Sequence, residues 1–537
     1  MNLKVTRLSL KTSLPVTLIL ALIVGFITLV PYRSAGRGSG RYYDFPQGLR
    51  VSANGRYLVN NDSPFLWVAD TAWMIFAGTR EADAEFYLNQ RKQSGFNVIQ
   101  AYVLPWNPFT TANRYGEKPF LDTPWEPNPY YFGYVDRLIT MANDLGFVMA
   151  INPAELDSLE QCTTVDDIQE HLPAFAAWLA ERYKNYNIVW VLGGDKSPVN
   201  PVDVSAVVQA EAQAILSHDP NHLITYHPRS DKGQNSSSVF FQNESWLNFN
   251  MMQVSNIDDD SAYRVAYNDY TKTPVKPTLL AETEYENAGE TWEDGRLQSY
   301  GAFLAGGYVG ITYGQVGPMN MLDATVDWKA KLVSPVAVGA KEMGYFRQLF
   351  GSRAYFLLVP DSAHTVITAA STVGFTGFGE FNEWGNNGAP VTAAASDRSF
   401  SVTYIPAAYD PPTGTRAYLT VNMSKFPGPV TAKWFDPTDG TYQIISGSPF
   451  TNYGSQTFRA PNATNHDDKR DRLLVLETLN ETPVPIERRL KRRPEFAKCF
   501  GANGQSAFAA DELPNFLRWG RGMSFDEFGR INFKSYQ

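Results

Sequence analysis

Short runs in which almost every residue is apolar recur along the first two thirds of the chain. They are "FLWVAD" (Phe65–Asp70), "NVIQAYVLP" (Asn97–Pro105), "FVMAINPAE" (Phe147–Glu155) and "NIVWVLGGD" (Asn187–Asp195). Four more follow: "LITYHP" (Leu223–Pro228), "LNFNMMQVS" (Leu247–Ser255), "TLLAETEYE" (Thr278–Glu286) and "YVGITYGQ" (Tyr308–Gln315). Runs of this length and apolarity predict strands covered on both faces, as in a parallel sheet under helices. Between them, Glu81–Ser94, Tyr131–Leu145, Val165–Tyr183, Pro201–Ser217 and Trp292–Ala305 show helical spacing of apolar residues. Eight alternations over roughly 300 residues predict a closed (β/α)8 TIM barrel, class α/β. A doubly wound open sheet competes, but the Gly-rich phosphate turn it would want after an early strand is missing.

The texture changes near Arg353. Helical periodicity stops, and β-rich runs such as "RSFSVTYIP", "RAYLTVNM" and "VTAKWFDPTDGTYQ" are separated by Gly, Pro, Asp and Asn. Short strands at near-regular spacing predict a C-terminal antiparallel β-sandwich, with Asp436–Gly440 as a hairpin turn. The joint is expected after the helix Ser334–Phe350. The pattern divides the chain into a leader and linker (1–41), a barrel (42–352), a sandwich (353–482) and a tail (483–537) expected to be loosely ordered. The tail opens on the basic run "RRLKRRP", which reads first as a solvated face.

Composition narrows the function. A net charge of −9 argues against a nucleic-acid partner, which would require a basic face. An aromatic content of 14% in an acidic protein suits a neutral, hydroxyl-rich ligand such as a sugar. Cys162 and Cys499 are the only cysteines, so there is no disulfide framework and no cysteine-based metal site. Neither a metal nor a cofactor is expected. The uncharged stretch Leu14–Val30 follows Lys4, Arg7 and Lys11, as in a secretion signal or a marginal membrane span. The expectation is a secreted or membrane-anchored protein with its catalytic domain outside the cytoplasm; cleavage and anchoring both remain open, as does the oligomeric state. Six Asn-x-Ser/Thr matches carry little weight in a chain this rich in those residues.

Active groups of such barrels lie at the C-terminal ends of the strands. These ends offer Asp70, Trp106, Glu155, Asp195, His227, Gln253, Glu282 with Glu284 and Glu286, and Tyr313. Carboxylates and aromatics dominate. Two carboxylates facing one cleft are what glycoside hydrolysis requires, one to protonate the leaving oxygen and one to attack carbon or activate water. Asp195 ending strand four and Glu282 ending strand seven form the strongest pair. Structural readings stand beside these. Asp195, after two glycines, has the composition of a helix cap. Glu284 and Glu286 share the alternation parity of Glu282. Asp70 has the alternative of fixing a turn, and His227 that of a structural hydrogen bonder. Trp73 and Trp106 have the alternative of packing, and Trp190, mid-strand, reads as core.

The placement on strands four and seven resembles that of the clan A glycoside hydrolases. The stretches "GRYLVNNDSPFLWVADTAW", "YLNQRKQSGFNVIQ", "NIVWVLGGD", "ITYHP" and "WFDPTDGTYQ" resemble the apiosidase-like family, glycoside hydrolase family 140. Its members pair such a barrel with a β-domain of the type labelled collagen-binding. The resemblance spans most of Leu49–Thr478. It implies Asp195 as general acid/base and Glu282 as nucleophile of a retaining glycosidase acting on plant cell-wall-type carbohydrate. Asp70, Trp73 and His227 would shape the sugar subsite, and Trp106, Gln253, Tyr285 and Tyr313 complete the substrate-binding candidates. Two departures stand out: "LAETEYE" replaces the family's usual Asp-Gly-Glu-Pro, and strand eight lacks the expected His. They leave a second possibility, an inactive carbohydrate-binding or adhesion protein on the same barrel.

Overall fold

The computed structural model describes residues 48–199, 202–230, 235–254, 262–288, 292–333, 337–372, 375–376, 389–406 and 416–479. It also gives the backbone of two short paired strands, Met523–Phe525 and Ile531–Phe533. The apolar stretch Leu14–Val30, its linker and the rest of the tail lie outside these residues. No helix among the described residues is long and apolar enough to cross a membrane.

All eight apolar runs are strands: β1 (Trp67–Thr71), β2 (Val98–Tyr102), β3 (Val148–Asn152), β4 (Ile188–Gly193), β5 (Ile224–His227), β6 (Asn250–Gln253), β7 (Thr278–Glu282) and β8 (Gly310–Tyr313). They form one parallel sheet in the order β5-β4-β3-β2-β1-β8-β7-β6. Backbone and side-chain hydrogen bonds together bridge the remaining seam between β5 and β6. Asn248 Oδ1 accepts from Ile224 N at 2.7 Å, Asn248 N donates to Ile224 O at 2.9 Å, and Thr225 Oγ1 donates to Phe249 O at 2.7 Å. The barrel is thereby closed.

Strand alternation produces two apolar layers. Trp67, Ala69, Val98, Val148, Ala150, Val189, Val191, Met251, Leu279 and Ala281 fill the interior, where Leu49 and Leu58 of a small N-terminal sheet join them. Val68, Ile99, Met149, Trp190, Tyr226 and Ile311 point the other way, into the layer beneath the helices. Those helices include α1 (Glu81–Gln93), α2 (Pro129–Asp144), α3 (Leu156–Glu160), α4 (Val165–Tyr183), α5 (Ser205–His218), α6 (Ala262–Thr271), α7 (Trp292–Leu304) and α8 (Val338–Gly351). Local chemistry sets their starts: Asn128 caps α2 ahead of Pro129, and Thr164 caps α4 ahead of Asp166 and Asp167. Helices α3 and α6 were not evident in the sequence pattern.

The C-terminal domain has a six-stranded and a four-stranded antiparallel sheet. Ile367, Leu419, Val421 and Phe458 of the smaller sheet meet Ala432, Trp434, Leu474 and Leu476 of the larger in one core. The other face of the larger sheet, with Val391, Ala393, Val402, Tyr404, Leu473 and Val475, packs into the barrel's helical layer.

Candidate active site

Glu282 reaches the barrel mouth through an irregularity in β7. Leu280 pairs with Met252 and Glu282 with Gln253, so two steps on β7 match one step on β6. Ala281 is the extra residue of a bulge, a device that re-aims the following side chain. Simple alternation would have turned Glu282 outward with Leu280. Instead its Oε2 lies 3.1 Å from Nε2 of the inward-facing His227. The contact has the distance of an ion pair without the alignment of a hydrogen bond.

Asp195 follows β4 through Gly193 (φ 82°) and Gly194 (φ 90°), and itself takes φ 47°. Glycine is required at both positions for packing as well as backbone. A Cβ at 193 would lie 2.5 Å from the Tyr226 ring, and one at 194 would lie 2.9 Å from Glu155 Cγ. The turn leaves Asp195 exposed while its neighbours are buried.

Aromatic residues cluster around His227 and Glu282. The Trp73 ring stacks on Tyr102 at 4.4 Å and meets His227 edge-on at 5.4 Å. Its Nε1 donates to the Tyr285 hydroxyl at 2.8 Å. Trp106, in the long β2–α2 loop, keeps 36% of its surface exposed.

The site's electrostatics show how closely these groups converge. Burial raises the Glu282 carboxyl above the usual range and the charge of Asp195 adds to this, while His227 pulls it back. Burial alone would lower His227, but Glu282, with smaller help from the charge of Asp195 and the Pro228 backbone, makes the net shift upward. Burial lifts the Tyr102 hydroxyl far above the phenol range, and the charges of Glu155, Asp195 and Glu282 add to that. Glu155, at the end of the β3 segment, is pushed up to about 7, mainly by burial and in part by Asp195. Both its oxygens accept α3 backbone N–H groups, from Asp157 and Ser158, at 2.9 Å.

The structure therefore gathers Trp73, Asp195, His227, Glu282 and Tyr285, with Gln253 facing inward at the end of β6. It does not bring Asp70 or Tyr313 to the mouth, which corrects both expectations. Asp70 shares the parity of Val68 and points outward, where Arg91 Nε lies 2.6 Å away and the Tyr87 hydroxyl donates to it. Tyr313 shares the parity of Ile311 and points outward against Phe96 and Trp292. It donates to Glu286, whose carboxylate also accepts the N–H groups of Val338 and Gly339 at the start of α8. Glu286 thus anchors a helix rather than facing the cleft. The Glu284 backbone N–H donates to Gln298 in α7. Tyr102 went unremarked in the sequence, although its parity with Val98 and Gln100 points it inward.

Residues 52–357 match the family described as "Apiosidase-like, catalytic domain". The chain belongs to the apiosidase-like family. Residues 384–477 match a second family, "Putative collagen-binding domain of a collagenase". A solved structure titled "Glycoside hydrolase" is similar at 25% identity, TM-score 0.66, over 81% of this chain and 98% of that one. A glycoside hydrolase family 5 structure from Bacteroides vulgatus aligns at 24% identity, TM-score 0.67, over 80% of this chain and 93% of its own. No curated protein matches the chain. An apiosidase-like barrel with glycoside hydrolase neighbours supports glycoside hydrolysis as the general activity.

Proposed function

We propose that this apiosidase-like protein is an exported, retaining O-glycosidase acting on plant cell-wall-type oligosaccharide or polysaccharide. Glu282 is the nucleophile and Asp195 the acid/base. The observation that carries this reading is the bulge that brings a buried glutamate from strand seven to His227, within the field of an exposed aspartate from strand four. In the first step Glu282 attacks the anomeric carbon while Asp195 gives its proton to the departing oxygen. In the second, Asp195 removes a proton from water as it displaces Glu282. His227 favours the ionised carboxylate that attack requires, and Trp73, Tyr102, Trp106 and Tyr285 supply faces for a sugar. Gln253 belongs to the same ring of sugar-facing groups. Export rests on the apolar stretch Leu14–Val30.

The two carboxyls have separable signatures. Glu282→Ala abolishes turnover of every aryl glycoside the wild type accepts, and azide or formate partly restores it. Asp195→Ala retains a fast first step only on substrates with good leaving groups and then stalls. Anomeric NMR of the first-formed product decides the stereochemistry, and an inverted product would recast Glu282 as a general base.

A further inference from the structure

Lys196, the residue after Asp195, is built unlike an ordinary lysine. Its side chain is 1% exposed, and Nζ lies 2.6 Å from Oε2 of Glu160, itself 14% exposed. An ammonium group is strongly hydrated and is seldom withdrawn from water without a specific partner. The Lys196 carbonyl is held as well, accepting the Tyr226 hydroxyl at 2.7 Å. Tyr226 comes from β5, on the side of the turn opposite α3.

Glu160 is the last residue of α3, and Glu155 caps the first turn of the same helix. Both ends of this helix therefore touch the Asp195 turn. Glu155 Cγ and Asn152 Nδ2 crowd Gly194, leaving 2.9 and 3.0 Å to an added Cβ, and Glu160 holds Lys196. Between these two grips lies Asp195, an exposed non-glycine residue in the left-handed region at φ 47°. A residue in that region stays there when its surroundings over-determine it.

We propose that the buried Lys196–Glu160 ion pair is the clamp that holds Asp195 against the departing oxygen, making both residues positioning residues for the protonation step. The proposal rests on the reading of Asp195 as the acid. Neither side chain touches substrate. What they set is the placement of a carboxyl whose backbone would otherwise relax, and protonation is steeply sensitive to placement.

The test uses the full chain and two aryl glycosides of the sugar the wild type accepts best. One carries a dinitrophenyl leaving group, which needs little protonation, and the other an unsubstituted phenyl, which needs much. kcat/KM reads the first step. Asp195→Asn serves as the reference and loses activity on the phenyl glycoside far more than on the dinitrophenyl one. Lys196→Met is expected to repeat that bias in milder form, with roughly tenfold or greater loss on phenyl and about twofold or less on dinitrophenyl. KM on the phenyl glycoside, where the first step limits, stays near the wild-type value. The double variant Lys196→Met/Glu160→Leu replaces the ion pair by an apolar pair, an exchange that buried pairs often tolerate. It should keep a near wild-type melting temperature and show the same leaving-group bias.

Equal losses on both substrates, or a double variant with wild-type substrate ratios, would overturn the proposal. So would the collapse of both variants, because the pair would then hold the fold rather than the turn. If Asp195→Asn itself shows no leaving-group bias, or no glycoside is accepted at all, the acid assignment fails first and the clamp falls with it.

Discussion

His227 and Glu282 stand 3.1 Å apart at the barrel mouth, and each alters the proton affinity of the other. Glu282 must be ionised to attack, yet burial and the charge of Asp195 both favour its protonated form. His227 is the counterweight. Its replacement removes the largest effect drawing the carboxyl back down, leaving only the smaller one of Tyr285, so the folded Glu282 should bind its proton more tightly. In His227→Gln the acidic limb of the kcat/KM profile should therefore move to higher pH; an unmoved limb would show that another group sets it. Glu211 on α5 poses a similar problem away from the cleft. It is fully buried, neither carboxylate oxygen has a hydrogen-bond partner, and burial pushes it up to about 8. A carboxyl raised on folding binds more protons in the native than in the unfolded state between its two pKa values. Stability then falls as pH rises through that window, by up to ~1.4 kcal/mol per pH unit. Glu211→Gln does not titrate, so its melting temperature relative to the wild type should rise from about pH 4.5 to about 8. Parallel melting curves of the two proteins across that range would refute this.

The turn after β4 and the bulge in β7 are the elements that convert a plain barrel into a site. Gly194 and Gly116 share nearly the same left-handed backbone, φ 90° and 86°, but an added Cβ meets Glu155 and Asn152 at 194 and nothing within 4 Å at 116. Gly116→Ala should cost only the backbone term, about 1 kcal/mol, whereas Gly194→Ala adds overpacking worth about 1–3 kcal/mol and displaces Asp195. Melting temperature together with kcat on a poor leaving group would separate the two, and equal behaviour would mean the turn is looser than its contacts suggest. These elements also show what could be read from the sequence. The break of "NIVWVLGGD" on two glycines and an acid was visible because glycine and strand composition are local signals. Period-two alternation puts Asp70 opposite Trp67 and Ala69, and Tyr313 on the side of Ile311, but with both faces of these strands apolar only the folded barrel shows which side is inward. The aim of Glu282 was not readable. Alternation gives it the same face as Glu284 and Glu286, and only the pairing of β7 against β6, a tertiary fact, separates them. Lys196 gave no signal, because its partner Glu160 lies 36 residues earlier on another element.

At the scale of the whole molecule, the barrel and the sandwich share a core. The larger sheet of the sandwich is apolar on both faces, one used within the domain and the other against α7 and α8. Tyr300 of α7 stacks on Tyr404 of that sheet at 5.1 Å. Inside this joint lies Arg296, fully buried, with Nε 2.7 Å from Asp471 and Nη1 2.7 Å from Asp467 and 2.8 Å from Glu342. The sequence held no hint of this, because Asp467 and Asp471 lie 171 and 175 residues downstream. Three carboxyls around one guanidinium leave excess negative charge, and burial pushes Glu342 up to about 9 despite the opposing field of Arg296. Removing the cation strands the others. Arg296→Met should cost about 3–5 kcal/mol, the penalty for breaking a buried pair. The loss should also depend on pH with a definite sign. Without Arg296 the folded Glu342 binds its proton more tightly than in the wild type, while the unfolded chain is unchanged. The variant's deficit therefore grows as pH rises through about 9, where the wild-type Glu342 ionises and the variant's does not, and is constant below it. Since Arg296 ties α7 to the sandwich, calorimetry should find one cooperative transition in the wild type and two in the variant near pH 8. A single transition in Arg296→Met with a pH-independent loss would show that apolar packing alone couples the domains.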